Sequence, residues 1–498
     1  GTVGTSANFG ANLRHLALNA SGTQLLVSRF VTPALPGEGT TAVQTSVAGS
    51  PRGGEVLVVT PSTLALQRTI VLQHSERPDT TIGGRGIPNY LGAPAIAPDG
   101  ASAWVPGKQD NVKRGRLRDA LDLDFQNTIR AISSRIDLGT QAEDLAGRID
   151  HDNSGVASAA AFHPTGAYLF VVLEASRHVA VVDALGKREL FRVDAGRAPQ
   201  GLAVSADGLM LYVHNFMDRT VGVFDLTPLT QQARADAPAL ATMPSIGSER
   251  LAANVVRGKK LFYDARDPRL ARDRYMSCAS CHNDGGHDGR TWDLRAQGEG
   301  LRNTIALKGR ASMGHGRLHW SNNFDEVQDF EGQIRALAGG TGLMTDAQFN
   351  TGTRSQPLGD AKAGVSADLD ALAAYVASLN AFDPSPYRPS ASTLSAAASA
   401  GRTLFTQMNC GFCHSASAWT RSAVDNPANV GTIKAASGKR LGGTLAGIDV
   451  PTLRDLWATA PYLHDGSAAT IEAAIKAHAN QPATDAQLTS LAAYLREL

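Results

Sequence analysis

Along residues 1–232, apolar and polar positions alternate with a period of two, and the alternation is broken at regular turns. The segments 16–30, 94–107, 160–174 and 202–215 each read as strand, turn, strand, with the turns closed by Gly22, Gly100, Gly166 and Gly208. A further apolar run follows in three copies, "GEVLVVT", "HVAVVDA" and "TVGVFDL". Gly166 and Gly208 stand 42 residues apart (208 − 166), the period of a propeller blade. The pattern predicts an N-terminal all-β propeller with four visible blades. A small ring or a larger ring lacking its N-terminal blades would both give four copies, and the second is the expectation. The charged insertion "GKQDNVKRGRLRDALDLD" reads as a solvated loop.

Composition turns to Ala, Pro and Ser over 233–248, the signature of a linker. Beyond it the periodicity becomes helical, beginning with "SERLAANVVRGKKLFYDA". A second internal repeat appears there. "RGKKLFYD" before one Cys pair is echoed by "AGRTLFTQ" before another, and "ADLDALAAYVASLN" by "DAQLTSLAAYLREL". The expected division is two mainly α class I cytochrome c domains, 249–385 and 386–498, joined by "FDPSPYRPSAST".

The 498 residues carry a net charge of +1, with 43% hydrophobic and 19% charged positions. That balance gives nucleic-acid binding no support, and no apolar run reaches a membrane span. The cysteines are more informative. All four lie in Cys278-Ala-Ser-Cys281-His282 and Cys410-Gly-Phe-Cys413-His414. C-x-x-C-H is the pattern of covalent c-type haem attachment, two thioethers to the porphyrin and a histidine to the iron. A zinc ribbon spaces its pairs by 15–20 residues, whereas these pairs are 129 apart (410 − 281). A thiol–disulfide pair would not need histidine at the fifth position twice. Two covalent haems c are therefore expected. Such haems are attached outside the cytoplasm, so a periplasmic or otherwise extracytoplasmic location is expected. The opening "GTVGTSANFG" shows no export leader, which is expected to have been removed or to lie outside this sequence.

The β repeats resemble YVTN-type seven-bladed propellers of extracytoplasmic proteins. The segment 249–498 resembles the di-haem cytochrome c peroxidase and MauG superfamily, on "GKKLFYD", "SCASCHN", "GLRNTIAL", "VPTLRDLWATAPYLHDGS" and "TIEAAI" in family order. The resemblance implies His282 and His414 as proximal iron ligands and Trp320 on the path between the haems. It also implies a calcium ion at Asn303, Thr459 and Pro461; an asparagine oxygen and backbone carbonyls are the hard ligands Ca²⁺ prefers. Gln333 matches a distal glutamine. Two departures stand out: Arg295 occupies the region of a family haem-ligating histidine, and Leu343 aligns with a distal carboxylate. Peroxide cleavage needs a group to move a proton between the two oxygens, and His287, His315 and His319 are the candidates.

The family's ligand to the second iron lies fourteen residues after the histidine of the "PYLHDG"-like loop. Here that histidine is His464, and fourteen residues on stands His478. Thr470 reads as an N-cap, Glu472 falls in the first turn, and Ile471, Ala474, Ile475 and His478 share one helical face. The expectation is a bis-histidine second haem, His414 with His478, and His464 outside the coordination sphere. Met408 is the other side chain to consider. The function implied is an oxidoreductase: a peroxidase or MauG-like oxidase acting on peroxide at the first haem. Its electron partner would be a small redox protein or a protein substrate. A non-catalytic electron carrier with the propeller as docking platform is the alternative.

Overall fold

A computed structural model describes residues 5–45, 52–415, 417–479 and 482–498. The N-terminal half is four consecutive antiparallel sheets. Sheet one runs β1 (Leu13–Leu18), β2 (Leu25–Arg29), β3 (Gly54–Thr60), β4 (Ala65–Leu72). Sheet two holds β5 (Ile87–Asn89), β6 (Ala95–Ile96), β7 (Ser102–Asp110), β8 (Ile129–Asp137) and β9 (Ala142–His151). Sheet three is β10 (Ala157–Phe162), β11 (Tyr168–Leu173), β12 (His178–Asp183), β13 (Arg188–Asp194). Sheet four is β14 (Pro199–Val204), β15 (Met210–Asn215), β16 (Thr220–Asp225), β17 (Ala239–Pro244).

Each sheet thus has a fourth, outer strand that the apolar pattern did not mark. Outer strands are half-solvated or exposed, so their apolar alternation is diluted. The clearest instance is β17, exposed along its whole length and lying inside the 233–248 stretch expected as a linker.

Strand β11 shows how one alternating sequence holds two interfaces. Leu169, Val171 and Leu173 enter the core with sheet two (Trp104, Ala131, Ile149), while Phe170 and Val172 enter that with sheet four (Leu211, Val213, Phe224). Each such fully buried side chain is worth about 1.5–3 kcal/mol. Leu26, Val56 and Val58 pack against Ala103, Val105 and Ile136, joining sheets one and two. A buried Ser133–His151–Glu189 chain (2.9 and 2.7 Å) ties sheet two to sheet three. Its order matches a hydrolytic triad, but Ser133 and His151 are 0% exposed and line neither large cavity, so its role is structural.

Among the described residues no core cluster joins sheet one to sheet four. Leu16 and Leu18 of the first and Leu240 and Met243 of the last stay exposed.

The helical half is built twice. Helix Ala253–Phe262 packs on helix Ala367–Ser378, and helix Ala396–Gln407 on helix Asp485–Arg496. The repeated glycine of "GKKLF" and "GRTLF" explains the crossings. A Cβ on Gly258 would collide with the Ala371 carbonyl, and one on Gly401 with the Ser490 carbonyl. Ser366, Ser395 and Thr484 cap three of these helices. No helix among the described residues is long and apolar enough to cross a membrane.

The two halves are bonded through many side chains. Tyr90 Oη donates to the Cys281 carbonyl (2.7 Å), Arg290 pairs with Glu38 (2.6 Å), and Arg266 with Asp194 (2.8 Å). The charged insertion is not the solvated loop expected from its sequence. Its first residues, Lys108, Gln109 and Asp110, complete β7 and are buried, Lys108 pairing with Asp110 and Asp288. Charge in a sequence signals solvent only when no opposite charge is folded against it.

Candidate haem sites

Two cavities lie beneath the two C-x-x-C-H segments. The first, about 250 Å³, is lined by Cys278, Cys281 and His282 together with Leu261, Phe262, Leu372 and Val376. The second, about 410 Å³, is lined by Cys410, Cys413 and His414 together with Phe405, Leu491 and Leu495. The short helix Ala279–His282 and the turn Cys410–Phe412 bring both cysteines and the histidine of each motif to one wall. All four thiols are free of disulfides.

Both motif histidines are oriented alike. Nδ1 of His282 lies 3.2 Å from the Gly286 carbonyl, and Nδ1 of His414 lies 3.1 Å from that of Pro451. A donated Nδ1–H places the lone pair on Nε2, as second-shell carbonyls do for iron-binding imidazoles. Burial holds both rings toward the neutral form, His414 down to about 4 with His478 adding to the effect. Apolar walls, paired thiols and a neutral imidazole fit covalent haem in each cavity.

Asn303, Thr304, Ile305, Arg310 and Trp320 line both cavities and form the partition between them. Trp320 is buried there and donates Nε1–H to the Asn303 carbonyl (2.8 Å). The Asn303 side chain faces the carbonyls of Pro461 (2.5 Å) and Leu463 (3.4 Å), while its Oδ1 is buried without a partner. Thr459 and Pro461 lie on the same wall.

The three histidines proposed for the first site separate clearly. His287 lines neither cavity; its Nε2 lies 3.0 Å from the Ala458 carbonyl and bridges the two cytochrome-like segments. His315 lines the first cavity, but both nitrogens are engaged, Nε2 accepting from Arg310 (3.0 Å) and Nδ1 facing Ser422 Oγ (3.3 Å). Burial and Arg310 push its pKa down to about 3. His319 differs. Its Nδ1 lies 3.0 Å from Glu299 Oε1, and the ring packs on Phe324 and Phe330. Burial pushes the Glu299 carboxyl up, but His319, Arg302 and Ser321 outweigh that and hold it at about 2. His319 also sits at φ +66°, a left-handed conformation that a β-substituted residue adopts only when its surroundings impose it.

Glu299 lines the same cavity and was not singled out from the sequence. It stands in the unpatterned "QGEGLRN" loop, twenty residues from His319, with no motif to mark it. At the position aligned with the family carboxylate, Leu343 is buried in the helical core. Gln333 lines the first cavity, while Arg295 points away and donates to the Ala435 carbonyl (3.3 Å).

In the second cavity, Ile471, Ala474, Ile475 and His478 all line the wall. The helix is shorter than the periodicity suggests, Ile471–Lys476 with Ala477 as C-cap, so His478 follows it. Thr470 caps its N-terminus, accepting from Ala473 N–H. His478 Nδ1 lies 2.9 Å from the Ala474 carbonyl. His464 is buried with Nε2 2.6 Å from Ser437 Oγ, and its carbonyl accepts from Asn303 N–H (2.7 Å). Met408 also lines this cavity.

Residues 252–400 match the family of di-haem cytochrome c peroxidases, and residues 447–483 match the RoxA-like, cytochrome c-like family. The segment 252–400 is a di-haem cytochrome c peroxidase/MauG-family domain. Cytochrome c peroxidase Ccp of Escherichia coli (strain K12) is 27% identical over 259 residues, 45% of this chain and 52% of that protein. The chain thus spans about half the length of the curated relative it matches. Two solved structures are similar to part of the chain. Hydrazine synthase of Kuenenia stuttgartiensis is 22% identical, with 50% of this chain and 89% of that chain covered and a TM-score of 0.34. A MauG-like protein associated with microbial copper homeostasis is 21% identical, with 51% and 90% covered and a TM-score of 0.35.

Proposed function

We propose that this protein is an exported di-haem c-type oxidoreductase that reduces peroxide, or performs a MauG-like oxidation, at the first haem. The second cavity would hold a haem suited to electron relay, and the β sheets are blades of a propeller. The observation that carries the reading is the Glu299–His319 pair in the wall of the first cavity. A relay haem needs no imidazole hydrogen-bonded to a buried carboxylate in its cavity wall.

Bound haem supplies one-electron chemistry at iron. The protein's own part is proton handling and placement. Peroxide reduction consumes two electrons and two protons and releases two waters. Glu299 holds the His319 tautomer, and His319 Nε2 takes the proton from one peroxide oxygen and returns it to the other, which leaves as water. Gln333 orients the oxidant by hydrogen bonding. His315, locked between Arg310 and Ser422, shapes the partition and moves no proton. Trp320 carries electrons between the haems. His282 and His414 would hold the two haem irons, and His478 would be a further ligand for the second. Asn303 with the Thr459 and Pro461 carbonyls would hold a Ca²⁺ ion, which would tie the two cytochrome-like segments together at the partition. The electron partner is a small redox protein or an oxidisable protein substrate, in an extracytoplasmic compartment.

The test is the EPR spectrum of the haem-loaded ferric and half-reduced protein. A high-spin ferric signal, lost on adding cyanide, is expected. Two low-spin haems in every redox state, with no reaction with peroxide, would instead make His319 an iron ligand and the protein an electron carrier.

A further inference from the structure

The loop between β7 and β8, residues 111–128, does not end in solvent. It crosses onto the cytochrome half and reaches the first haem cavity. Leu123 is 5% exposed and packs with Met276 and Trp292 against Cys281, Leu294 and Leu337. Leu123 and Thr128 themselves line the cavity, the two described residues of the β half that do so.

The loop is clamped at both ends of this contact. Leu117 N–H donates to Asp293 Oδ2 (2.6 Å), and Arg118 donates to the carbonyls of Thr291 (3.0 Å) and Glu38 (2.6 Å). Gly115 lies against Asp293 at φ +143°, where any Cβ would collide with that side chain. Within the loop, Arg114 pairs with Asp124 (2.6 Å), and Arg85 of the preceding loop pairs with Asp119 (2.7 Å). Below it, Asp288 accepts from Trp292 Nε1 (3.2 Å) and pairs with buried Lys108. So many charge-assisted bonds around one leucine indicate a wall held at a set position.

We propose that this loop is the fixed cap of the first haem site and that Leu123 governs access to it and the polarity of its edge. The β half is then a structural component of the redox centre rather than only a platform beside it. The cap admits small oxidants and excludes bulkier molecules. This access role rests on the proposed open site at the first haem, whereas the polarity role does not. Hydrophobic walls around a haem limit water and so influence its potential.

The experiment uses the full haem-loaded chain with Leu123→Ala and the milder Leu123→Val. Spectroelectrochemistry reads each haem separately. Water admitted at the edge favours Fe(III), so the first potential should fall in the order wild type, Val, Ala, with the second haem unchanged. If Leu123→Ala fails to load haem, Leu123→Val carries the same test at smaller amplitude. In parallel, binding rates of cyanide and imidazole are compared. The imidazole-to-cyanide ratio should rise several-fold in Leu123→Ala. An unchanged first potential, or equal shifts at both haems, overturns the cap. An unchanged ratio overturns its access role. If neither protein binds either ligand, the open first site fails, and the potentials still decide on the cap.

Discussion

His319 Nδ1 lies 3.0 Å from Glu299 Oε1 inside the wall of the first haem cavity. Leu343, by contrast, is buried in the helical core and does not line that cavity. Replacing Glu299 with Gln keeps the volume but removes the charge that fixes the His319 tautomer. Peroxide turnover by the haem-loaded protein should fall about 100-fold, the scale of a lost general acid–base. Haem content and the second haem's spectrum should not change. Steady-state peroxide consumption checks this, and full activity in Glu299→Gln would remove the pair from the mechanism.

His478→Met exchanges an imidazole for a thioether at the second cavity. Thioether sulfur favours Fe(II), so the midpoint potential of that haem should rise and its low-spin spectrum change. A spectrum and potential equal to wild type would pass the assignment to His464 or Met408.

The unpartnered Oδ1 of Asn303 and the neighbouring carbonyls predict one bound Ca²⁺ per chain, measurable by elemental analysis. Chelation should alter the haem spectra or slow transfer between the haems. Asn303→Ala should have the same effect and make chelator inert. A calcium-free protein indifferent to chelator would refute the site.

Glu174 is buried and accepts from Gln200 Nε2 (3.2 Å). Burial raises its pKa from an ordinary 4.5 to about 7. Between those two values the folded chain retains a proton that the unfolded chain has released, so stability falls as pH rises through the window. Glu174→Gln should therefore stabilise the protein at pH 8, by at most about 3 kcal/mol. The gain should vanish below pH 4.5. Thermal melts at the two pH values measure the difference.

The sequence alone contains what is local and periodic. Cys278, Cys281 and His282 must sit within one turn for haem attachment, as must Cys410, Cys413 and His414, so spacing declares the cofactor. The strands β2, β3, β11 and β12 bury alternate residues in neighbouring cores, so period two declares them. His478 follows a capped apolar helix, and its side of the chain could be counted from Thr470. Other features depended on packing between distant segments. Outer strands such as β17 expose both faces and lose the alternation. Glu299 meets His319 only because two irregular loops fold onto one wall. Lys108 looks like solvated charge until Asp288, 180 residues away, is brought beneath it. Leu123 becomes part of a haem site only when the β7–β8 loop crosses to the other half of the chain. Hydrogen bonds and ion pairs of this kind carry no period, because either partner can stand anywhere in the chain, and only the tertiary structure pairs them.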